Sequence, residues 1–326
     1  MARKTSPRTV RYDLGFNWAA DRESVFTRTL RTAAKRRGLK VLRVLKSDTA
    51  AVHHRVDDGA LRVATFLNTQ ADGSRFDSPA MLLCRAMKSS GAFVIEDPDD
   101  SRIYADRALQ CRYLQRSGLG APCHFVVDNW QPGRAVLTAA QQKQLGPAWV
   151  AQPATGLDRS RQVPGTGRIS AAALGRAGFR PGQPILVRPA VKIPKPRHAL
   201  RVRAWYLFGH VVPCEGFNDD AVLKVVRPAP DQWISISTVL QTVRRMAGIT
   251  GLDWFVAEVL APASGNTVTV VEPPNALADL GPGTKALSTV PPEVQRIAAE
   301  RLAEVAWQRA RNKPPADGTT LRVGEQ

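Results

Sequence analysis

The stretch from Gly251 to Asp279, GLDWFVAEVLAPASGNTVTVVEPPNALAD, limits the possible folds of this chain more than any other. Leu252 to Val259 and Thr267 to Glu272 are rich in β-branched and aromatic residues, and the Ala-Ser-Gly-Asn run between them is a turn signal, so the pattern predicts a β-hairpin. A loop at Ser264-Gly265-Asn266 sets Glu258 opposite Glu272, because side chains alternate along a strand. The same alternation assigns Leu252, Trp254, Val256, Val268 and Val270 to that face. Two facing carboxylates at the end of an apolar face repel and resist desolvation. They call for protonation, a basic partner or a cation. Magnesium fits, since it takes one or two carboxylates together with phosphate oxygens, and the Asn275 side-chain oxygen is able to complete the set. An ordinary hairpin with both glutamates splayed into water fits the same spacing.

With 326 residues the chain is long enough for two or three domains or subdomains. Hydrophobic residues at 44% and charged residues at 23% place it among globular proteins rather than disordered ones. The N-terminal MARKTSPRTVRYD has positive charge without an apolar segment behind it, and no apolar run approaches membrane-spanning length, so a cytoplasmic location without a membrane partner is expected. Cys84, Cys111, Cys123 and Cys214 lack the paired spacing of a zinc site and read as reduced, mostly buried thiols. The net charge is +18 and is uneven: residues 1 to 46 carry 13 Lys/Arg and 3 Asp/Glu, or +10, which leaves +8 for the rest. RTLRTAAKRRG (28 to 38), within the basic region 28 to 46, could meet a polyanion such as nucleic acid, or could be the solvated face of one helix. No aromatic interleaving or nucleic-acid-binding motif accompanies the charge.

From the N-terminus, Thr9 to Phe16 reads as a strand, Arg22 to Arg37 as a helix stopped by Gly38, and 39 to 47 as a second strand. Residues 60 to 68 form a third. A helix follows with Asp77 or Ser78 as its N-cap and Pro79 in its first turn, and 92 to 98 is the next strand. Strands alternating with helices imply a small parallel sheet. No glycine fingerprint follows the first strand, which argues against a nicotinamide enzyme. Asp106 caps a helix with Leu109, Tyr113 and Leu114 as its apolar stripe. Ile185 to Val187 form a strand that Pro189 breaks before Val191. Arg201 and Arg203 stand two apart, hence on one strand face with Trp205. Residues 231 to 251 are helical, and Pro291-Pro292 open a last amphipathic helix with Val294, Ile297, Ala298, Leu302 and Val305 on its buried side. His53, His54, His124, His198 and His210 are too dispersed to form a catalytic set.

A glycine-led strand ending in a carboxylate, a turn, and a strand ending in an acidic residue closely followed by Asn resembles the last part of the ATP-grasp fold. The resemblance implies a mixed α/β and α+β architecture, with a basic tail (1–8), an N-terminal Rossmann-like small parallel-sheet domain (9–100) and two α+β nucleotide-binding subdomains. These are a central one (101–184) and a C-terminal one (185–311) carrying the metal-binding hairpin, followed by a mobile tail (312–326). Glu258, Glu272 and Asn275 then hold magnesium on ATP, although Glu272-Pro273-Pro274-Asn275 has one residue more than the acid-x-Asn of many members. Arg107 and Gln152 stand at positions where the family has lysines that reach the nucleotide. Arg159 and Arg161 lie in the loop that folds over the phosphates. Arg188 to Val191 correspond to the hinge that holds adenine through backbone hydrogen bonds, and Arg201 and Arg203 to the strand whose arginine contacts phosphate or an acyl phosphate. The implied activity is an ATP- and Mg2+-dependent ligation of a small-molecule or peptide carboxylate to an amine or similar nucleophile. With neither lysine present, a nucleotide-binding protein without turnover is the alternative, and polyanion binding through the basic N-terminal region is another.

Overall fold

The computed structural model describes residues 9–18, 24–69, 77–121, 124–128, 130–155, 163–191, 199–215, 223–227, 233–262, 268–276 and 290–311. Both tails, the turn at Ser264-Gly265-Asn266, and Arg159 and Arg161 lie outside them.

The chain begins with β1 (Val10–Trp18), α1 (Val25–Arg36), β2 (Val41–Leu45), α2 (Thr49–Asp57), β3 (Leu61–Leu67), α3 (Pro79–Ser89) and β4 (Phe93–Ile95). The four strands are parallel, in the order β2-β1-β3-β4. β1 is an inner strand covered on both faces, so every residue from Leu14 to Trp18 is buried rather than alternate ones. Ser24 and Thr27 close α1 with a reciprocal capping box, and Ser78 caps α3 with Pro79 in its first turn. α2 occupies a stretch that the sequence leaves unassigned, because only Val52 and Val56 give it an apolar face. It carries His53 and His54, each 3.3 Å from an aspartate one turn on.

After α4 (Pro98–Tyr104) and α5 (Arg107–Arg116), an antiparallel sheet forms from β5 (Phe125–Val127), β6 (Ala148–Pro153), β7 (Val163–Thr166) and β8 (Ile185–Pro189), ordered β5-β8-β6-β7. α6 (Ala139–Leu145) and α7 (Ala171–Arg176) contribute Leu145 and Leu174 to its core. Pro189 is the last residue of β8 rather than a break within it. The third sheet contains β9 (Ala199–Leu207), β10 (His210–Glu215), β11 (Lys224–Val225), β12 (Trp254–Pro262) and β13 (Thr269–Asn275), ordered β11-β10-β9-β12-β13. α8 (Trp233–Thr250) covers one face, where Val239, Val243 and Met246 meet Phe255, Ala257 and Val259.

The other face belongs to the core shared with the parallel sheet. Trp205, Trp254 and Val256 join Leu14, Phe16 and Trp18 of β1, Phe26 and Leu30 of α1, and Val294, Ala298 and Leu302 of α9 (Pro292–Arg311). The Phe26 ring stacks on Trp18 at 5.9 Å and meets Trp254 edge-on at 6.3 Å. Ala33 of α1 and Ala298, Ala299, Ala303 and Ala306 of α9 are fully buried, and their small size lets the two helices approach closely. The basic segment is thus half structural. Its apolar side enters this core, and Arg36 and Arg37 both reach Glu300 of α9, the latter at 3.1 Å. Among the described residues no helix is long and apolar enough to cross a membrane.

Glu96, just past β4, adds a polar tie between the parallel and third sheets. It is buried and accepts the backbone N–H groups of Asp253 and Trp254 at the entrance to β12. Burial, and then the nearby Asp253 carboxylate, hold Glu96 well above its ordinary value of 4.5. The folded chain therefore keeps a proton that the unfolded chain releases, so this contribution to stability is complete below pH 4.5 and is lost as pH rises from there. Glu96→Gln keeps an acceptor for both N–H groups, so the loss of stability between about pH 5 and about pH 8 should shrink in this variant. Urea unfolding at both pH values checks this, and an unchanged difference would remove Glu96 as its source.

Candidate functional site

A straight row of charge crosses the third sheet: Arg203 of β9 stands opposite Glu258 of β12, which stands opposite Glu272 of β13. The next row holds Trp205, Val256 and Asn275. Asn275 belongs there because the strand is bulged. Three steps along β13, from 272 to 275, match two along β12, from 258 to 256. Residues three apart on a regular strand point to opposite faces, and the extra residue returns Asn275 to the face of the two glutamates. Pro273 and Pro274 have no N–H to contribute to a ladder, so the irregularity falls where it disrupts least.

A second shift lies between Glu258 and Val259. It corrects the single-face assignment made from sequence. Trp254 and Val256 face α1 and α9, whereas Leu252, Val268 and Val270 pack in the core under α8. Val268 and Val270 lie beyond an inserted residue that reverses their parity, whereas Leu252 precedes the first residue of β12 and is outside its alternation. Val271 instead joins Leu260 and Val191 in a small apolar group, and Leu260 shares the face of Glu258.

Neither glutamate is splayed into water: Glu258 is 8% exposed and Glu272 5%. Each has a basic partner. Arg201 donates through Nε to Glu258, and Arg188 of β8 donates through Nη2 to Glu272 from the neighbouring sheet. Arg203 shares the face of Arg201, with its guanidinium carbon 5.7 Å from the centroid of the Trp205 ring.

On β6, Gln152 pairs with Leu186, two residues from Arg188, so Gln152, Leu186 and Arg188 share a face of the central sheet. α5 lies over it. Its buried side is Arg107, Ala108, Gln110, Cys111 and Leu114, while Tyr113 is exposed and Leu109 only half-buried, contrary to the stripe expected from sequence. The difference arises because polar groups on this side find partners. Arg107 Nη1 donates to Gln152 Oε1 at 2.9 Å, and Gln110 Nε2 donates to the Pro274 carbonyl at 3.0 Å. Gln110 thus anchors the bulge beside Asn275. No motif marks it, and only its spacing of three from Arg107 on a capped helix could have drawn attention to it. Cys111 also lies here, its thiol pushed up to about 11, chiefly by burial, which makes it a poor nucleophile.

Arg107, Gln152, Arg188, Arg201, Arg203, Glu258, Glu272 and Asn275 therefore line the facing parts of α5 and two sheets, with Val191 in the adjoining apolar group. The oxygen donors Glu258, Glu272 and Asn275 suit a hard cation such as magnesium rather than zinc. Among the described residues no group of three or more His, Cys, Asp or Glu is placed to hold a metal.

The same arrangement of elements occurs in known structures. The chain is similar to a RimK-domain ATP-grasp protein from Sphaerobacter thermophilus, at 16% identity and a TM-score of 0.60, over 89% of this chain and 98% of that one. It is also similar to D-alanine–D-alanine ligase from Bacillus anthracis in complex with ATP, at 10% identity and a TM-score of 0.64, over 92% and 97%. A third similar structure is the ATP-grasp ligase PsnB with a minimal precursor, Mg and ADP, at 14% identity and a TM-score of 0.58, over 91% and 98%. No family model matches the sequence, and no curated protein matches it. The chain has the ATP-grasp fold.

The Arg107–Gln152 hydrogen bond makes a prediction about the lysine positions. Gln152 is fully buried, so Gln152→Lys sets an ammonium against the Arg107 guanidinium and should cost about 3–5 kcal/mol of stability. Arg107→Gln combined with Gln152→Lys exchanges the charge across the pair and should recover most of that loss. Denaturant unfolding of both single variants and the double variant gives the coupling energy, and simple additivity would show that the two side chains act independently.

Proposed function

We propose that this chain is an ATP-dependent ligase that joins a carboxylate to an amine or similar nucleophile through an acyl phosphate, using magnesium held by Glu258, Glu272 and Asn275. The observation that carries the reading is the buried Glu258–Glu272 row with Asn275 on its face, set against the arginines of two sheets. Similar structures support it: one is a ligase in complex with ATP, and another is a ligase with a minimal precursor, Mg and ADP. On this reading residues 9–100 precede two nucleotide-binding halves, 101–184 and 185–311, and the protein works in the cytoplasm on a small-molecule or peptide carboxylate.

The chain's own residues then divide the work. Backbone groups from Arg188 to Val191 bond adenine, with Val191, Leu260 and Val271 as its apolar wall. Arg107, oriented by Gln152, reaches the phosphates, as Arg159 and Arg161 do from their loop. Bound magnesium supplies neutralisation of the β- and γ-phosphate oxygens. Arg201 and Arg203 bond the phosphoryl group as it passes to the substrate carboxylate, where forked donors match the developing charge. No side-chain nucleophile is needed, since positioning and charge neutralisation lower the barrier.

A nucleotide-binding protein without turnover is the second reading, favoured by the neutral Gln152 and by the arginines already bound to both carboxylates. Glu272→Gln, which keeps an acceptor for Arg188, should abolish magnesium-dependent ATP binding in titration calorimetry, and unchanged affinity would reject the metal assignment. A screen of carboxylate and amine pairs for ADP formation separates ligase from binder. In a competent enzyme, Arg203→Ala should lower turnover by about 100-fold while weakening ATP binding far less, because its contact is made mainly in the transition state.

A further inference from the structure

We infer that the side chain of Arg188 is a nucleotide-binding group that exchanges partners: it neutralises Glu272 in the nucleotide-free chain and passes to the polyphosphate when a divalent cation takes the carboxylate. The inference rests on the magnesium reading above and adds to it the regulation of that site by an arginine from another sheet.

Three observations carry it. The first is competition. Glu258 and Glu272 face each other in a buried setting where neither could stay charged alone, and a guanidinium already occupies each. A hard cation needs those same carboxylate oxygens, so it must share or displace the guanidinium. The second is unused donor capacity. Arg188 is 4% exposed, and its Nε–H has no partner among the described residues. A buried donor in this state is costly until an acceptor arrives. Gln152 Nε2, on the same face of the central sheet, is likewise buried without a partner among the described residues, so two donors there await a ligand rich in acceptors. The third is charge balance. Without nucleotide, Arg188 and Arg201 neutralise the two carboxylates, while Arg203 opposite Glu258 and Arg107 on Gln152 already add positive charge beside them. When a dication neutralises the carboxylates, a released guanidinium would stand uncompensated unless an anion accompanies the metal, and a polyphosphate is that anion. Metal and nucleotide should therefore bind with strong positive coupling, each weak without the other.

A purely structural role for Arg188, as a clamp between sheets, predicts something different: its loss lowers stability but does not improve metal binding. Mn2+ serves as the probe, with free ion measured by electron paramagnetic resonance on the full chain without nucleotide. Arg188→Gln removes the competitor and should tighten nucleotide-free Mn2+ binding by about tenfold or more, while weakening Mg–ATP binding by about tenfold. Arg188→Lys keeps the charge without the fork and should move both affinities in the same directions by less, which preserves the test if Arg188→Gln fails to fold. Nucleotide-free Mn2+ affinity within about twofold of wild type in the folded variants would overturn the exchange. Glu272→Gln separates the two levels. If it abolishes magnesium-dependent ATP binding while the Arg188 variants leave Mn2+ binding unchanged, only the exchange fails; if it leaves that binding intact, the magnesium reading fails and the exchange with it.

Discussion

Two buried carboxylates placed face to face are the constraint around which this structure is arranged. Glu258 and Glu272 sit on adjacent strands with almost no access to water, and neither could remain ionised without compensation. Arg201 compensates Glu258 from within the same sheet. Arg188 compensates Glu272 from the neighbouring one, so the electrostatic requirement of the hairpin also joins the central and third sheets. Removing one partner of such a pair costs about 3–5 kcal/mol, much more than an exposed ion pair, because a bare charge is left behind.

The irregularities of β13 serve the same end. A regular strand would have put Asn275 on the far side of the sheet from Glu272; the bulge at Pro273-Pro274 brings it back, and Gln110 of α5 holds the Pro274 carbonyl in place. The second shift sends Val268 and Val270 into the α8 core and leaves Val271 with Leu260 and Val191. One strand thus places Glu272, Asn275 and Val271 on one side and Val270 on the other without a regular alternation.

Arginine takes several roles here that ammonium groups would fill poorly. The Arg107 guanidinium shares a buried position with a neutral amide, whereas two lysines there would repel. Arg188 holds a carboxylate and keeps a further donor in reserve. Arg36 and Arg37 use the same fork on Glu300 to fasten α1 to α9, which places part of the basic N-terminal charge in the structure's own service. The remaining charge on α1 faces solvent.

The sequence by itself indicated the alternation of strands and helices in the first sheet, its parallel character, a cap for α3 at Asp77 or Ser78, the cap at Asp106, and Glu258 opposite Glu272; the capping box at Ser24 lay inside a helix read as starting at Arg22. Most of those features are local and depend on periodicity and capping groups, whereas the expected register fails at Val259 and Leu260, and the shift between Glu258 and Val259 is what restores Glu258 opposite Glu272. α2 escaped because its apolar pattern is too sparse, and the face of α5 was misread because a buried arginine and glutamine look like solvent-facing residues until their partners are known. Only the tertiary structure decided that Asn275 returns to the face of the glutamates, that Val268 and Val270 leave it, and that Arg188 meets Glu272 and Arg107 meets Gln152. Each of these depends on a bulge, or on contact between residues tens of positions apart. Neither kind of feature leaves a periodic trace in the chain, since both are set by how separate elements pack against one another.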